Sequence, residues 1–213
     1  MKIAIVLGAT GLVGKCLIER LANENSIEKV VAVTRRPMQY ISEKIVNEVI
    51  NFEHIEEYIN VFRGDVIFSC LGTTAKLAGS IENQRKVDFE YQFEVAKMAS
   101  KNKVEHYVLV SSSGANKNSN SPYLKMKGEL ENAVTSLPYK RITIMQPSLL
   151  VGERDTFRLG ETIANGLLPI LCKLPFLKRY RPIPGDTVAK KMVALSLTES
   201  EGKEIYQLDD IFS

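Results

Sequence analysis

Unbroken apolar runs alternate along this chain with stretches in which apolar residues return every three or four positions. Ile3-Ala4-Ile5-Val6-Leu7 is rich in branched residues and ends at Gly8, which predicts a strand buried on both faces. Leu12, Val13, Cys16, Leu17 and Leu21 then follow at helical spacing. Val30–Val33 predicts a second buried strand, Ile45–Ile50 a weaker third and Val66–Phe68 a fourth. Tyr107–Val110 and Ile142–Met145 predict a fifth and a sixth, and Ile205–Leu208 a short last one. Helices are predicted over Val87–Ala99, over Tyr123–Ser136 and over Thr187–Leu197. Ser121 is expected to cap the second, with Pro122 at its first position, and Asp186 to cap the third. This alternation predicts an α/β fold, a doubly wound parallel sheet with helices on both faces. No repeat, low-complexity run or linker interrupts it, so residues 1–213 are expected to form a single domain. Residues 151–184 are expected to form a small cap on the substrate side of the strand ends.

Composition narrows the function classes. The 213 residues are 45% hydrophobic and 25% charged, as in ordinary soluble globular proteins. A net charge of +3 is too small to argue for a nucleic-acid or membrane partner. Cys16, Cys70 and Cys172 form no CxxC pair, and His54 and His106 stand far apart, so neither a disulfide framework nor a metal site is expected. Gly166–Leu177 is broken by Pro169, Lys173 and Pro175 and is shorter than the roughly 20 apolar residues that span a bilayer. With no export signal before Gly8, the expected location is cytoplasmic.

The candidate chemistry starts at Gly8-Ala9-Thr10-Gly11-Leu12-Val13-Gly14, between the first strand and the first helix. Gly8 permits the turn, Gly11 clears backbone for a pyrophosphate, and Gly14 allows close helix packing, as in a Rossmann dinucleotide site. The helix start then offers N–H groups and partial positive charge to phosphates. The second strand ends in Thr34-Arg35-Arg36-Pro37. An NAD site usually carries an acid about 20 residues past the loop; two arginines here instead suit a 2′-phosphate and predict NADP. A charged hydrogen bond worth about 1.5–3 kcal/mol would favour NADP roughly 10- to 150-fold. Asn51-Phe52 is a candidate adenine edge, and Cys70-Leu71-Gly72-Thr73 a second backbone approach to the cofactor. Cys70 has no histidine near it in sequence and is expected to be a small packing residue rather than a nucleophile.

Tyr123 and Lys127 lie four apart on a predicted helix, hence on one face, shortly after Ser111-Ser112-Ser113. A serine, a tyrosine and a lysine can form a proton-transfer set, because a cation beside a phenol eases proton loss near neutral pH.

These pieces resemble the short-chain dehydrogenase/reductase superfamily, in its extended or atypical branch with NmrA-like NAD(P)-binding proteins. The likeness is greatest to the Tat-interacting oxidoreductase group. Besides the glycine loop, it rests on Cys70-Leu71-Gly72-Thr73-Thr74, Val87-Asp88, Ser111-Ser112-Ser113-Gly114-Ala115, Tyr123 with Lys127-Gly128-Glu129, and Gln146-Pro147. The resemblance implies that Tyr123 is the acid/base and that Lys127 holds the cofactor ribose and tunes Tyr123. It implies that Ser112 binds the substrate oxygen, with Ser111 and Ser113 as rivals, and that Pro147 and the backbone after it line the nicotinamide side. Asp88 departs from the pattern: relatives with an extended active site often carry Asn there. The expected activity is that of an NADP-dependent oxidoreductase acting on a small carbonyl or alcohol. The alternatives are an NADP(H)-sensing regulatory or scaffold protein and a nucleotide-sugar-type epimerase or dehydratase, the latter disfavoured by the two arginines.

Overall fold

The computed structural model describes residues 1–152 and 178–212. Seven strands form one parallel sheet: β1 (Lys2–Leu7), β2 (Ile27–Thr34), β3 (Ile45–Val49), β4 (Val66–Ser69), β5 (His106–Val110), β6 (Arg141–Gln146) and β9 (Gly202–Gln207). Their order is β3-β2-β1-β4-β5-β6-β9, so the winding direction reverses between β1 and β4. β1 pairs in parallel on both sides, with Leu7 opposite Val33 of β2 and Ser69 of β4. A ligand crevice belongs beyond the carboxyl ends of the strands at such a reversal.

The unbroken apolar strands are explained by the two cores. Along β1, alternate residues point to opposite faces. Ala4 and Val6 join Val13, Leu17 and Leu21 of α1 (Leu12–Asn23) and Val188 and Met192 of α6 (Gly185–Leu197). Ile5 and Leu7 join Val95 and Ala99 of α4 (Tyr91–Lys101), Leu130 and Val134 of α5 (Pro122–Thr135), and Phe62. Burying a large aliphatic side chain is worth about 1.5–3 kcal/mol, and each central strand contributes to both layers at once.

Several boundaries differ from the sequence reading. The helix expected over Val87–Ala99 is a π-helical turn (Lys86–Glu90) running into α4, and it starts earlier than expected, with α3 (Ile81–Arg85) leading into the turn and the short α2 (Ala75–Ala78) before that. Asp186 does not cap the last helix; it lies inside the first turn of α6, after Pro184, and pairs with Arg20 of α1 at 2.6 Å. Ser121 stands at the N-cap of α5 and Pro122 at its start, but the serine side chain makes no capping bond. β9 begins at Gly202, three residues before the expected strand. Of the expected cap, the described parts are the two-residue strands β7 (Leu150–Val151) and β8 (Ile183–Pro184), which pair in parallel, and a turn over Lys178–Tyr180. Residues 153–177, with Cys172 and Lys173, lie outside the described residues.

Candidate active site

A cleft of about 1160 Å³ opens at the carboxyl ends of β1, β2, β4 and β5. Gly8, Thr10, Gly11, Leu12 and Val13 form its floor. Gly8 takes φ +82°, and a Cβ there would sit 2.7 Å from the Cys70 carbonyl carbon. A Cβ on Gly14 would stand 2.1 Å from the Gly8 carbonyl oxygen, so that glycine lets α1 press against the loop. Gly11 is looser, with its nearest neighbour at 3.2 Å. Ala9 and Gly14 are buried and stand behind the lining. The start of α1 faces the cleft with no side-chain cap at Gly11 and no acid in its first turn. An uncapped helix start clear of negative charge fits a phosphate, and this chemistry fits the dinucleotide that the glycine spacing implies.

At the end of β2, Thr34 and Arg35 line the cleft, while Arg36 is exposed outside the lining. Asn47 of β3 pins this corner. Its amide donates to the Thr34 hydroxyl at 2.8 Å and to the Ala32 carbonyl at 2.9 Å, and its oxygen accepts from the Met38 N–H at 2.7 Å. The Thr34 hydroxyl donates to the Arg36 carbonyl at 2.7 Å. Asn51 and Phe52 also line the cleft, and the Phe52 ring lies 5.4 Å from that of Tyr91. The Tyr91 hydroxyl donates to Glu53, and burial together with that carboxylate pushes it up to about 12. Lys86 stands 3.6 Å from the same carboxylate. This bridge joins the β3 side of the cleft to the α4 side, and it was not anticipated from the sequence.

Cys70, Leu71, Gly72 and Thr73 line the opposite edge. Burial pushes the Cys70 thiol up to about 12, against a smaller opposing effect of Lys127, so it is no nucleophile near neutral pH. The Thr73 N–H reaches both oxygens of Asp88, at 3.4 and 3.3 Å. Asp88 sits in the π-helical turn with no solvent exposure. Lys127, only 3% exposed, places its Nζ 3.5 Å from Asp88 Oδ1 and 3.5 Å from the Val110 carbonyl.

Tyr123 and Lys127 both line the cleft from α5. Among the three serines it is Ser111 that lines it, not Ser112. Ser111 is buried and donates its hydroxyl hydrogen to Glu131. Glu131 also accepts from Gln146 Nε2 at 2.8 and 3.0 Å, and Gln207 donates to Gln146 Oε1 at 2.7 Å. Ser112 is half-buried and its hydroxyl donates to the Ser113 carbonyl at 3.4 Å. Pro147 is buried behind the cleft, its carbonyl accepting from the Ser113 N–H at 2.9 Å, and Leu150 is the residue of that segment on the surface of the cleft. Sequence spacing gave no sign of Asn83, Lys86, Val87 or Leu150 in the lining.

A family model described as NAD(P)H-binding matches residues 8–161. The protein FMP52, mitochondrial, of Eremothecium gossypii is 36% identical over 94% of this chain and 91% of its own length. The protein HTATIP2 of Rattus norvegicus is 37% identical over 79% of this chain and 72% of its own. A short chain dehydrogenase family protein from Francisella tularensis superposes with a TM-score of 0.72 at 18% identity, covering 96% of both chains. UDP-glucose 4-epimerase of Thermotoga maritima gives 0.69 at 15%, covering 99% of this chain and 80% of that one. At such identities the structures share the fold alone. The fungal names correct one expectation: relatives that match nearly the whole chain are called mitochondrial, so the cytoplasmic location inferred from a missing export signal does not stand. The match over residues 8–161 and these relatives show that the chain belongs to the NAD(P)H-binding family, within the atypical short-chain dehydrogenase/reductases.

Proposed function

We propose that this protein is an NADP-dependent oxidoreductase acting on a small carbonyl or alcohol. The observation that carries the reading is that Tyr123 and Lys127, four residues apart on α5, line the same cleft as the uncapped start of α1. A nicotinamide bound there supplies the hydride donor or acceptor. The N–H groups at the start of α1 bind the pyrophosphate. Arg35 meets the 2′-phosphate at a strand end without an acid, and the cleft's own carboxylate, Glu53, is already engaged by Tyr91 and Lys86. Asn51 and Phe52 flank the adenine. Lys127 donates to ribose hydroxyls, and Tyr123 passes a proton to or from the substrate oxygen.

One observation favours a second reading, an NADP(H)-sensing protein with little turnover. Ser111 has its hydrogen committed to Glu131, and Ser112 stands off the cleft. A substrate carbonyl would then find Tyr123 as its hydroxyl donor without help from serine.

The test takes two steps. NADPH should raise the melting temperature more than NADH at equal concentration, since stabilisation follows RT ln(1 + [L]/Kd). Tyr123→Phe should leave that shift unchanged and cut NADPH-dependent reduction of a carbonyl panel by about 10²- to 10⁴-fold. Wild-type protein that binds NADPH and reduces nothing in the panel would move the conclusion to the sensor.

A further inference from the structure

We infer that the substrate end of the cleft takes an uncharged carbonyl compound with an apolar chain, and that Leu77 holds that chain. The inference deepens the oxidoreductase reading above and rests on it.

Sheet topology divides the charges of the lining. Arg35 stands at the end of β2 and Glu53 follows β3, with Lys86 at 3.6 Å from its carboxylate. These three charged residues gather at the β2–β3 end. Ser111, past β5, and Tyr123, on α5, mark the opposite end. There, among the described lining residues, the one charged group is Lys127, which is buried and pairs with Asp88 at 3.5 Å. Arg181, just before β8, is held by Asp209 and stands outside the lining. A carboxylate or phosphate brought to this end would give up water without meeting an unpaired cation of the described lining, which is costly.

Apolar side chains stand where charge is missing. Leu150 reaches the cleft from the segment after β6 and packs against the core on the α1 side of the sheet. Leu77 reaches it from α2, which begins just past Thr73, and the Thr73 N–H is bonded to Asp88 beside Lys127. The position of Leu77 is fixed: Thr74 caps α2, its hydroxyl accepting from the Leu77 N–H at 3.2 Å, and Asn83 donates to the Ala78 carbonyl at 3.1 Å. Yet Leu77 is 50% exposed, belongs to neither core, and sits in a turn with no buried residue. A large apolar side chain held open to water stabilises little in the free protein; on the wall of a cleft it is surface for a ligand. An aldehyde or ketone fits this arrangement. Its carbonyl carbon gains the hydride of NADPH and its oxygen the proton of Tyr123, giving an alcohol and NADP⁺. The chain beyond the carbonyl lies against Leu77.

The test compares straight-chain aldehydes, from propanal to octanal, with aldehydes of the same length that end in a carboxylate. NADPH-dependent kcat/KM should rise about two- to fourfold with each added methylene, and the terminal carboxylate should cost about tenfold or more. Leu77→Ser should flatten the rise, and Leu77→Lys should shift the preference toward the carboxylates. Carboxylates that match their neutral partners, rates that ignore chain length, or a rise that survives Leu77→Ser overturn the inference. So does a Leu77→Ser variant whose NADPH affinity falls by about tenfold, since Leu77 would then serve the cofactor. Straight-chain primary amides, which keep the carbonyl but are poor hydride acceptors, read the same surface by calorimetric titration into NADPH-loaded protein. Their affinity should climb with chain length and fall in Leu77→Ser. If wild type binds the amides in this order yet reduces no aldehyde, the oxidoreductase reading fails while the class of ligand stands. Amides that do not bind, or bind without regard to length, overturn the inference. Wild type that binds no NADPH overturns the cofactor reading and this inference with it.

Discussion

The two ends of the sheet are both polar, yet they use their donors in opposite ways. At the amino ends the donors are spent inside the protein. Arg141, 3% exposed, gives hydrogen bonds to the Leu195 carbonyl at 2.6 Å, the Thr198 carbonyl at 2.9 Å and Glu204 at 2.7 Å. Lys2 donates to the Ser196 carbonyl at 2.8 Å, so two cations satisfy the carbonyls at the end of α6. His106 and Thr143 bond each other at 2.8 Å. At the carboxyl ends the start of α1 carries no cap and Arg35 is exposed on the wall of the cleft. Polar groups that satisfy one another stabilise; polar groups left facing a cleft await a ligand. The same sheet carries both, and its strand direction separates them.

The largest effect expected from breaking this contrast is at the stabilising end. Arg141→Ala strands the Leu195 and Thr198 carbonyls and the Glu204 carboxylate, and leaving buried partners unmade costs about 3 kcal/mol. For a chain of this size that lowers the melting temperature by about 6–12 °C. NADPH affinity per folded molecule should stay unchanged. A variant that keeps its melting temperature, or loses cofactor while still folded, would show that the two ends are not separate in function.

The reverse variant is Gly11→Val. Its Cβ would stand 3.2 Å from the Gly8 carbonyl oxygen, a tight contact that a shift of a few tenths of an ångström relieves, so the fold should survive with a modest loss in melting temperature. The branched side chain stands where phosphate must approach. Losing one or two charge-assisted hydrogen bonds of about 1.5–3 kcal/mol each weakens NADPH by roughly 10²-fold or more, read by titration of NADPH fluorescence. Gly14→Ala sharpens the point: with its Cβ only 2.1 Å from the Gly8 carbonyl oxygen, it should lose stability as well as binding.

The sequence disclosed these two ends unequally. Backbone-built features were legible, because glycines, branched runs and strand–helix alternation leave a local pattern: β1, the loop after it and α1 stand where Ile3–Leu7, Gly8–Gly14 and Leu12–Leu21 put them. Side-chain networks between distant segments left none. The Asp88–Lys127 pair joins residues 39 apart, and Glu131 meets Gln146 across a strand and a loop. Helical periodicity over Val87–Ala99 could show a helix but not the π-helical turn within Lys86–Glu90, which shifts the register by one residue. Asn47 looked like an ordinary strand residue, and only pairing with β2 reveals that it fixes the arginine corner. The serine run was ambiguous by nature, since adjacent residues point apart at a strand end and the sequence alone does not say which faces inward.

Arg35→Ala tests the open end more finely. Removing one charged contact to a 2′-phosphate should shrink the ratio of NADPH to NADH affinity by about 10- to 150-fold. NADH binding should barely change, since it presents no phosphate there. Arg36→Ala, outside the lining, should do much less. Equal losses from both arginines would mean that long-range charge, rather than a contact in the cleft, sets the preference.

The smallest effect returns to the closed end, where it depends on pH. Burial, with the positive charges of Arg141 and Lys2, lowers His106 to about 3 from its ordinary 6.5. The folded protein therefore keeps this imidazole neutral, while the unfolded chain protonates it as pH falls through 6.5. Stability from the neutral ring is fully present above about 6.5 and is lost progressively as pH drops toward 3. One unit below 6.5 the loss is about 1.4 kcal/mol, or roughly 3–6 °C in melting temperature. His106→Gln can still bond the Thr143 hydroxyl but cannot titrate. Its melting temperature, plotted against pH, should run parallel to wild type from pH 8 to 7 and then gain on it by about that amount at pH 5.5. NADPH affinity should show no such divergence, because the ring lies at the amino end of β5 and the cleft at the carboxyl end. Parallel curves down to pH 5.5 would mean that His106 titrates equally in both states, and that the donors at this end are less firmly committed than their hydrogen bonds indicate.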